Sequence, residues 1–247
     1  MNMFAIDIGN TSTTCGLFYD NKLLSKSVFK KNDPFSVLSY MRANKSGALA
    51  IISSVDPSQT ERLVKLLKKN SFKSKVISHN NCGLLMDVES TKEVGIDRVC
   101  NSYAAKELYK LPCLVIDFGT ATTYDVINKD KIFIGGAIAP GIEVSSENLI
   151  SKAALLNKVT YEIPKHVIGK NTLTNLQSGI VLGAVDSIDG MVKRIKKEII
   201  ENENLKIILT GGFSRIISPI IKFNHEINLD LTLMGINLIY LNENKTK

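Results

Sequence analysis

Two ten-residue segments of the chain share one pattern of apolar, acidic and small residues. They read FAIDIGNTST at 4–13 and LVIDFGTATT at 114–123. The aspartates and the glycines of the two segments recur at the same offset, 117 − 7 = 119 − 9 = 110 residues. A unit repeated at a fixed offset indicates an internal duplication.

The chemistry that these segments favour is phosphate binding. Gly9 and Gly119 permit a sharp turn that brings main-chain N–H groups against an anion, and the short polar side chains that follow add donors. Asp7 and Asp117 end their apolar runs, where a carboxylate can hold a cation that neutralises phosphates. One copy alone is equally consistent with a hairpin that has an Asp-Gly turn. Two copies favour a pair of turns that grip a polyphosphate such as ATP.

The tetrapeptide GIDR at 95–98 is the next candidate. Asp97 could act as a general base towards a hydroxyl group, and Arg98 could pair with a substrate carboxylate. The alternative is an ordinary ion pair at the start of a helix, where an aspartate is favoured in any case. The tetrapeptide by itself leaves both interpretations open.

Each repeat is expected to open a three-stranded meander, the first at 3–8, 13–19 and 22–29 and the second at 113–118, 122–127 and 131–135. Further strands are expected at 48–53 and 205–210. Helices are expected at about 34–44, 57–69, 96–109, 142–155, 173–200 and 214–221. The tail 241–247 should be frayed. This order predicts an α/β protein with mixed sheets flanked by helices, and a chain of 247 residues suits two lobes, 1–112 and 113–247.

Composition argues against several classes of protein. The chain is 44% hydrophobic and 22% charged, as expected for a globular protein. Its net charge of +7 comes from scattered lysines, so nucleic acid is not an expected partner, and the cluster Lys193, Arg194, Lys196 and Lys197 is interpreted as a solvated helix face.

We find no apolar run of membrane-spanning length and no basic leader, which predicts a cytoplasmic protein without membrane contact. The four cysteines have no metal-ligand spacing and are expected to be reduced.

The motifs, taken in order, resemble those of the type III pantothenate kinase family. They are DIGNT at 7–11, GIDR at 95–98, DFGTATT at 117–123, GGAIAPG at 135–141, GKNT at 169–172, QSG at 177–179 and LTGG at 209–212. The resemblance implies a duplicated, two-lobed actin-like (ribonuclease H-like) fold. It also implies ATP-dependent phosphorylation of the 4′-hydroxyl of pantothenate, the first step of coenzyme A biosynthesis. Mg²⁺, a monovalent cation (K⁺ or NH₄⁺) and a homodimer belong to the same expectation.

Carried over position by position, the resemblance also implies roles for individual residues. The expected ATP contacts are Asp7, Ile8, Gly9, Asn10, Thr11, Ser12, Thr13, Thr14, Gly119 and Thr120. The expected pantothenate contacts are Gly95, Ile96, Asp97, Arg98 and Thr172. Asp97 would be the catalytic proton acceptor, Asp117 would hold the monovalent cation, and Asp7 would lie on the Mg²⁺ side.

One departure from the family pattern concerns the substrate. The family commonly has a pantothenate-contacting tyrosine seven residues before the glycine of GxDR, where this chain has Val88. Another small-molecule kinase or phosphohydrolase of the same fold therefore stays open as an alternative. A non-enzymatic transcriptional accessory protein is the second alternative, although a regulator has no need of a base beside two phosphate turns.

Overall fold

The computed structural model describes residues 2–44, 48–152, 159–199 and 204–245. Its strands are β1 (Asn2–Ile8), β2 (Ser12–Tyr19), β3 (Lys22–Lys30), β4 (Leu49–Ser54), β5 (Ser74–Val76), β6 (Leu85–Met86), β7 (Cys113–Phe118), β8 (Ala121–Ile127), β9 (Ile132–Pro140), β10 (Lys206–Thr210) and β11 (Glu226–Ile227). Its helices are α1 (Pro34–Asn44), α2 (Pro57–Lys69), α3 (Ile96–Leu108), α4 (Ile142–Lys152), α5 (Thr172–Gln177), α6 (Gly183–Glu198), α7 (Ser214–Ile217) and α8 (Leu231–Lys245). A π-helical turn, Ser178–Leu182, joins α5 to α6.

The chain divides into two compact units. The first unit comprises Met1–Tyr109, Asp130–Gly135 and Asp230–Lys247, and the second comprises Lys110–Lys129 and Gly136–Leu229. The expected division after residue 112 differs from this one chiefly at the C-terminus. Helix α8 packs against α3, so the end of the chain returns to the first unit.

The first unit is built on a five-stranded sheet of order β3-β2-β1-β4-β5. Strands β1 to β3 form the antiparallel meander that the sequence predicts, and β4 and β5 extend the sheet in parallel. Successive residues of β1 face opposite sides of the sheet. Phe4 and Ile6 join the core cluster with α1 and α2, whereas Met3 and Ala5 join the cluster with α3 and α8. Both faces of this sheet are therefore covered by helices.

The second unit is built on the strands β11-β10-β7-β8-β9 in that order. Strand β7 is antiparallel to β8 and parallel to β10. Apolar residues of β7 and β10 form one core cluster with Val185, Ile188 and Val192 of α6. Strand β9 begins in the first unit, where Leu85 and Met86 of β6 pair with it.

Three expectations about elements need correction or qualification. The tail was expected to be frayed, but α8 continues through Leu241 to Lys245. The helix expected at 173–200 is interrupted by the π-helical turn. The end of the helix expected at 142–155 lies outside the described residues, as does residue 200.

Candidate active site

Both repeated segments form a tight turn between two antiparallel strands. In the first, the N–H group of Gly9 donates to the carbonyl of Ser12 at 3.0 Å, and in the second, Gly119 donates to Ala121 at 3.1 Å. The acceptor is therefore three residues after the glycine in the first turn and two residues after it in the second. The first turn is one residue longer, although the sequence segments align without a gap.

The strand register next to each turn places a threonine opposite the aspartate. In the strand register, Asp7 of β1 lies opposite Thr14 of β2, and Asp117 of β7 lies opposite Thr123 of β8. Both aspartates are partly exposed. Each unit thus has a carboxylate at the end of its central strand, directly before a glycine turn, which is the local arrangement expected of a phosphate site.

A buried serine holds the first of these carboxylates. Strands β1 and β4 are parallel, and their register places Ser53 beside Asp7. The Ser53 hydroxyl is fully buried and donates to Oδ1 of Asp7 at 3.1 Å. In the sequence, Ser53 is marked only by its place at the end of an apolar run of strand length, which does not indicate a role at the site.

The GIDR segment begins helix α3. Gly95 is the residue before the helix, with an extended backbone, and Asp97 lies in the first turn. Oδ1 of Asp97 accepts the N–H of Arg98 at 2.8 Å. A Cβ atom on residue 95 would come within 2.5 Å of the same oxygen. Glycine at position 95 therefore leaves the space that the Asp97 carboxylate occupies.

Arg98 lies above an aromatic ring. Its guanidinium carbon is 5.8 Å from the centroid of the buried Phe133 ring, within the range of a cation–π contact. Val88, which stands where the family commonly has tyrosine, packs against the same core cluster as Phe133. The residue that departs from the family pattern thus belongs to the packing of the first core cluster.

Cys100 connects GIDR to the first turn. Burial raises the pKa of the Cys100 thiol well above its usual value, the negative charge of Asp7 adds to the rise, and Asp97 contributes further. A hydrogen bond with Ser53 acts in the opposite direction. Both carboxylates are therefore close enough to one buried thiol to act on it electrostatically. Val55 links the two segments geometrically: its N–H donates to the carbonyl of Ile8 at 3.1 Å, and its Cγ1 lies 3.9 Å from the Cβ position of Gly95.

Two glycines constrain the second turn. Gly211 has a φ angle of +85°, and a Cβ atom there would come within 2.5 Å of Oδ1 of Asp117. A Cβ atom on Gly141 would come within 2.4 Å of the carbonyl oxygen of Thr120. The LTGG and GGAIAPG motifs therefore supply close main-chain contacts to the turn at Asp117, Gly119 and Thr120.

Thr172 is exposed and is the first residue of α5, after the capping residue Asn171. It is in the second unit, whereas Gly95, Ile96, Asp97 and Arg98 are in the first. The expected substrate contacts are therefore divided between the two units.

The carboxylates suit hard cations in type and number. In the described part of the chain, no three His, Cys, Asp or Glu side chains form a metal-binding cluster. Mg²⁺ does not need such a cluster, because it usually takes only one or two protein carboxylates together with substrate phosphates. Asp7 at the first turn supplies an oxygen ligand of that kind, and Asp117 at the second turn supplies another carboxylate for a hard cation. Among the described helices we find none that is long and apolar enough to span a membrane.

Comparison with solved structures defines the class of protein. MreB5 of Spiroplasma citri, solved with bound ADP, matches with a TM-score of 0.55 at 11% identity over 99% of this chain and 98% of that one. A conserved protein of the Baf family of transcriptional activators from Campylobacter jejuni matches with a TM-score of 0.63 at 19% identity over 99% and 100%. At these identities the likeness concerns the fold alone, and it confirms the expected actin-like fold.

Sequence comparison then gives the family. The family model for type III pantothenate kinase matches residues 3–194. Type III pantothenate kinases of Thermomicrobium roseum and Halalkalibacterium halodurans are each 38% identical over 251 residues. These matches cover 96% of this chain in both cases, and 96% and 98% of the relatives. The chain belongs to the type III pantothenate kinase family.

Proposed function

We propose that this protein transfers the γ-phosphoryl group of ATP to the 4′-hydroxyl of pantothenate, giving 4′-phosphopantothenate and ADP, the first step of coenzyme A biosynthesis. Membership of the family supports the reaction, and the actin-like fold is compatible with it. The observation that supports the site assignment is that Val55 contacts both segments within the first unit: its N–H donates to the carbonyl of Ile8 at 3.1 Å, and its Cγ1 lies 3.9 Å from the Cβ position of Gly95. The electrostatic effect of both Asp7 and Asp97 on the buried Cys100 thiol agrees with this placement.

Asp97 is the proposed general base. Its carboxylate takes the proton of the 4′-hydroxyl while that oxygen attacks the γ-phosphorus, and the bond from the γ-phosphorus to the bridging oxygen of ADP breaks. The N–H of Arg98 holds one carboxylate oxygen in place. A preset orientation matters because phosphoryl transfer depends mainly on positioning and charge neutralisation.

The pantothenate carboxylate is the proposed partner of Arg98, whose guanidinium group can donate two parallel hydrogen bonds. The ring of Phe133 supports the planar guanidinium from one side. The remaining proposed contacts of pantothenate are Gly95, Ile96 and Thr172.

The two turns are the proposed ATP site. The residues assigned to it are Asp7, Ile8, Gly9, Asn10, Thr11, Ser12, Thr13, Thr14, Gly119 and Thr120. When bound, Mg²⁺ neutralises part of the phosphate charge, and Asp7 is its proposed ligand. The hydrogen bond from Ser53 keeps the Asp7 carboxylate at the end of β1.

Asp117 is the proposed ligand of a monovalent cation, K⁺ or NH₄⁺. A triphosphate carries about four negative charges, of which one Mg²⁺ neutralises half. A monovalent cation at the second turn would neutralise part of the phosphate charge that remains after Mg²⁺ binds. Asp117 supplies the anionic ligand, and the main chain around it is fixed by Gly211.

We also propose a homodimer in the cytoplasm, where ATP is available. Apolar side chains of the second unit remain exposed, among them Val167 at 73% and Ile168 at 75%. Contiguous exposed apolar surface is typical of an association site, and these side chains are its proposed contributors. Sedimentation should find a dimer whose dissociation abolishes activity, and a fully active monomer would contradict this.

The function is tested by measuring ADP release with three acceptors: pantothenate, 4′-deoxypantothenate and none. We expect release with pantothenate only, since the deoxy compound lacks the accepting oxygen. Equal release in all three would indicate a phosphohydrolase. Release with another alcohol but not with pantothenate would indicate a different kinase. Binding to nonspecific DNA at physiological salt, without ATP turnover, would favour the accessory transcription factor.

A further inference from the structure

A cavity of about 540 Å³ in the second unit has no role in the proposed kinase reaction. It lies between the C-terminal half of α6 and the segment that precedes β11. The lining residues that matter are Asp189, Lys193, Lys196, Lys197, Lys222 and Phe223. Its volume is within the range of small-molecule sites, about 300–1,000 Å³.

The cavity is at the end of the sheet opposite the second turn. Strand β10 starts at Lys206, which pairs with Cys113, and ends at Thr210, which pairs with Asp117. These ends are about 13 Å apart at roughly 3.3 Å per residue. Helix α6 finishes shortly before the start of β10. Phe223 precedes β11, which runs parallel to β10 and whose first residue pairs with Ile208, the middle residue of β10.

A second cavity, next to the second turn, is separate from the 540 Å³ cavity. It measures about 340 Å³, touches Thr122 directly after the second turn, and reaches Ala184 and Ile188 on the first half of α6. The 540 Å³ cavity begins at Asp189 and extends to the last turn of the helix. The two cavities have no lining residue in common.

Four lysines line the 540 Å³ cavity: Lys193, Lys196, Lys197 and Lys222. Within the described residues, none of the four forms an ion pair. Like charges gathered around a concave surface concentrate the positive field and attract polyanions. The solvated helix face expected from the sequence thus borders a cavity of ligand size.

Asp189 places a negatively charged side chain at the same cavity. Both of its carboxylate oxygens are buried, and neither has a hydrogen-bond partner among the described residues. A buried carboxylate without a donor is costly. A ligand that satisfies it must bring a hydrogen-bond donor, such as an amino group, as well as anionic groups.

Phe223 supplies an aromatic surface at the cavity. Its ring makes an edge contact with His225, with centroids 5.8 Å apart and an interplanar angle of 76°. Planar heterocycles stack readily on such rings. The cavity therefore offers partners for a polyanion, for an N–H donor and for a flat ring.

We propose that this cavity binds a nucleoside di- or triphosphate whose base carries an amino group. The phosphates contact the lysines, the amino group donates to Asp189, and the base packs on Phe223. This site is additional to the ATP site proposed for the kinase reaction.

Equilibrium dialysis of the full-length protein with ADP tests the proposal, with tripolyphosphate as the phosphate-only probe. The wild type should bind two ADP per chain. Lys193→Ala/Lys196→Ala should weaken one of the two sites by at least about tenfold. The matched control is Lys68→Ala/Lys69→Ala, which removes the same charge from the last turn of α2 and should keep both sites.

Asp189→Asn separates a nucleotide site from a general polyanion site. It should weaken ADP binding at the additional site while tripolyphosphate binding is unchanged or tighter. One ADP per chain in the wild type would overturn the proposal. So would two unchanged sites in the double lysine variant, or equal weakening of both probes by Asp189→Asn. A rise in the kinase KM for ATP in the double lysine variant would assign the cavity to the reaction site and overturn the separate site as well.

Discussion

Gly235→Ala tests how α8 fixes the helix that carries the proposed base. Gly235 lies in α8, and a Cβ atom there would come within 2.0 Å of the Cys100 carbonyl oxygen and 2.5 Å of its carbon. Real Cβ atoms stay at least 3.0 Å from such atoms, so α3 and α8 must separate by about 3.0 − 2.0 = 1.0 Å. The obstacle is main chain, which cannot rotate away.

The magnitude follows from two opposing effects. Overpacking costs typically about 1–3 kcal/mol, and a main-chain obstacle favours the upper end. Replacing glycine by alanine within a helix returns about 1 kcal/mol. The net loss of about 2 kcal/mol should lower Tm by roughly 4–8 °C in a chain of this size. Because Cys100 follows Asp97 by one helical turn, kcat should fall as well.

Gly183→Ala is the matched control. Gly183 has helical backbone angles of −61° and −37°, and nothing lies within 4 Å of its Cβ position. The same substitution should raise Tm by about 1–4 °C, because only the helix-propensity gain remains. Differential scanning calorimetry of both variants measures the difference. A Gly235→Ala protein as stable as the wild type would refute the close α3–α8 contact.

Three further substitutions test individual residues. Asp97→Asn should bind ATP normally but lose about 10²–10⁴-fold in kcat, and retention of more than about a third of wild-type kcat would disprove the assignment as base. Ser53→Ala should raise the KM for ATP about tenfold or more, because Asp7 loses a hydrogen bond to a charged group; an unchanged KM would show that the serine does not position Asp7. Asp117→Asn should shift the potassium requirement upward in titrations at fixed ionic strength, and an identical potassium response would exclude Asp117 as the cation ligand.

The sequence predicted the two turns well because their determinants are local. An apolar run, an aspartate, a glycine and short polar residues specify strand, turn and strand without reference to the rest of the chain. The one-residue difference in turn length was not predictable, because the segments align without a gap. It emerges only from the strand register, which pairs Asp7 with Thr14 and Asp117 with Thr123.

Helix α8 was missed because its sequence lacks the usual helical periodicity. Apolar residues occur on most sides of it, from Leu231 through Ile236 to Tyr240. It contacts α3 as well as β1, β2 and β4, so it has little polar face to reveal its period. Gly235, which would read as a helix breaker, is a point of close main-chain approach between α8 and α3.

The neighbourhood of Asp7, Ser53, Asp97 and Cys100 was beyond sequence reasoning for a different reason. It depends on the parallel pairing of β1 with β4 and on the packing of α3 against the sheet. These long-range contacts leave no local pattern. Ser53 and Cys100 read as ordinary core residues until the sheet register is known.

The central claim is transfer of phosphate to one particular oxygen of pantothenate. Incubation of the protein with ATP, Mg²⁺, K⁺ and pantothenate, followed by ³¹P NMR, tests it most directly. We predict a new phosphomonoester signal whose phosphorus couples to the two C4′ protons, and its absence with 4′-deoxypantothenate. ADP and inorganic phosphate as the only new signals, or a phosphomonoester without coupling to the C4′ protons, would contradict the account.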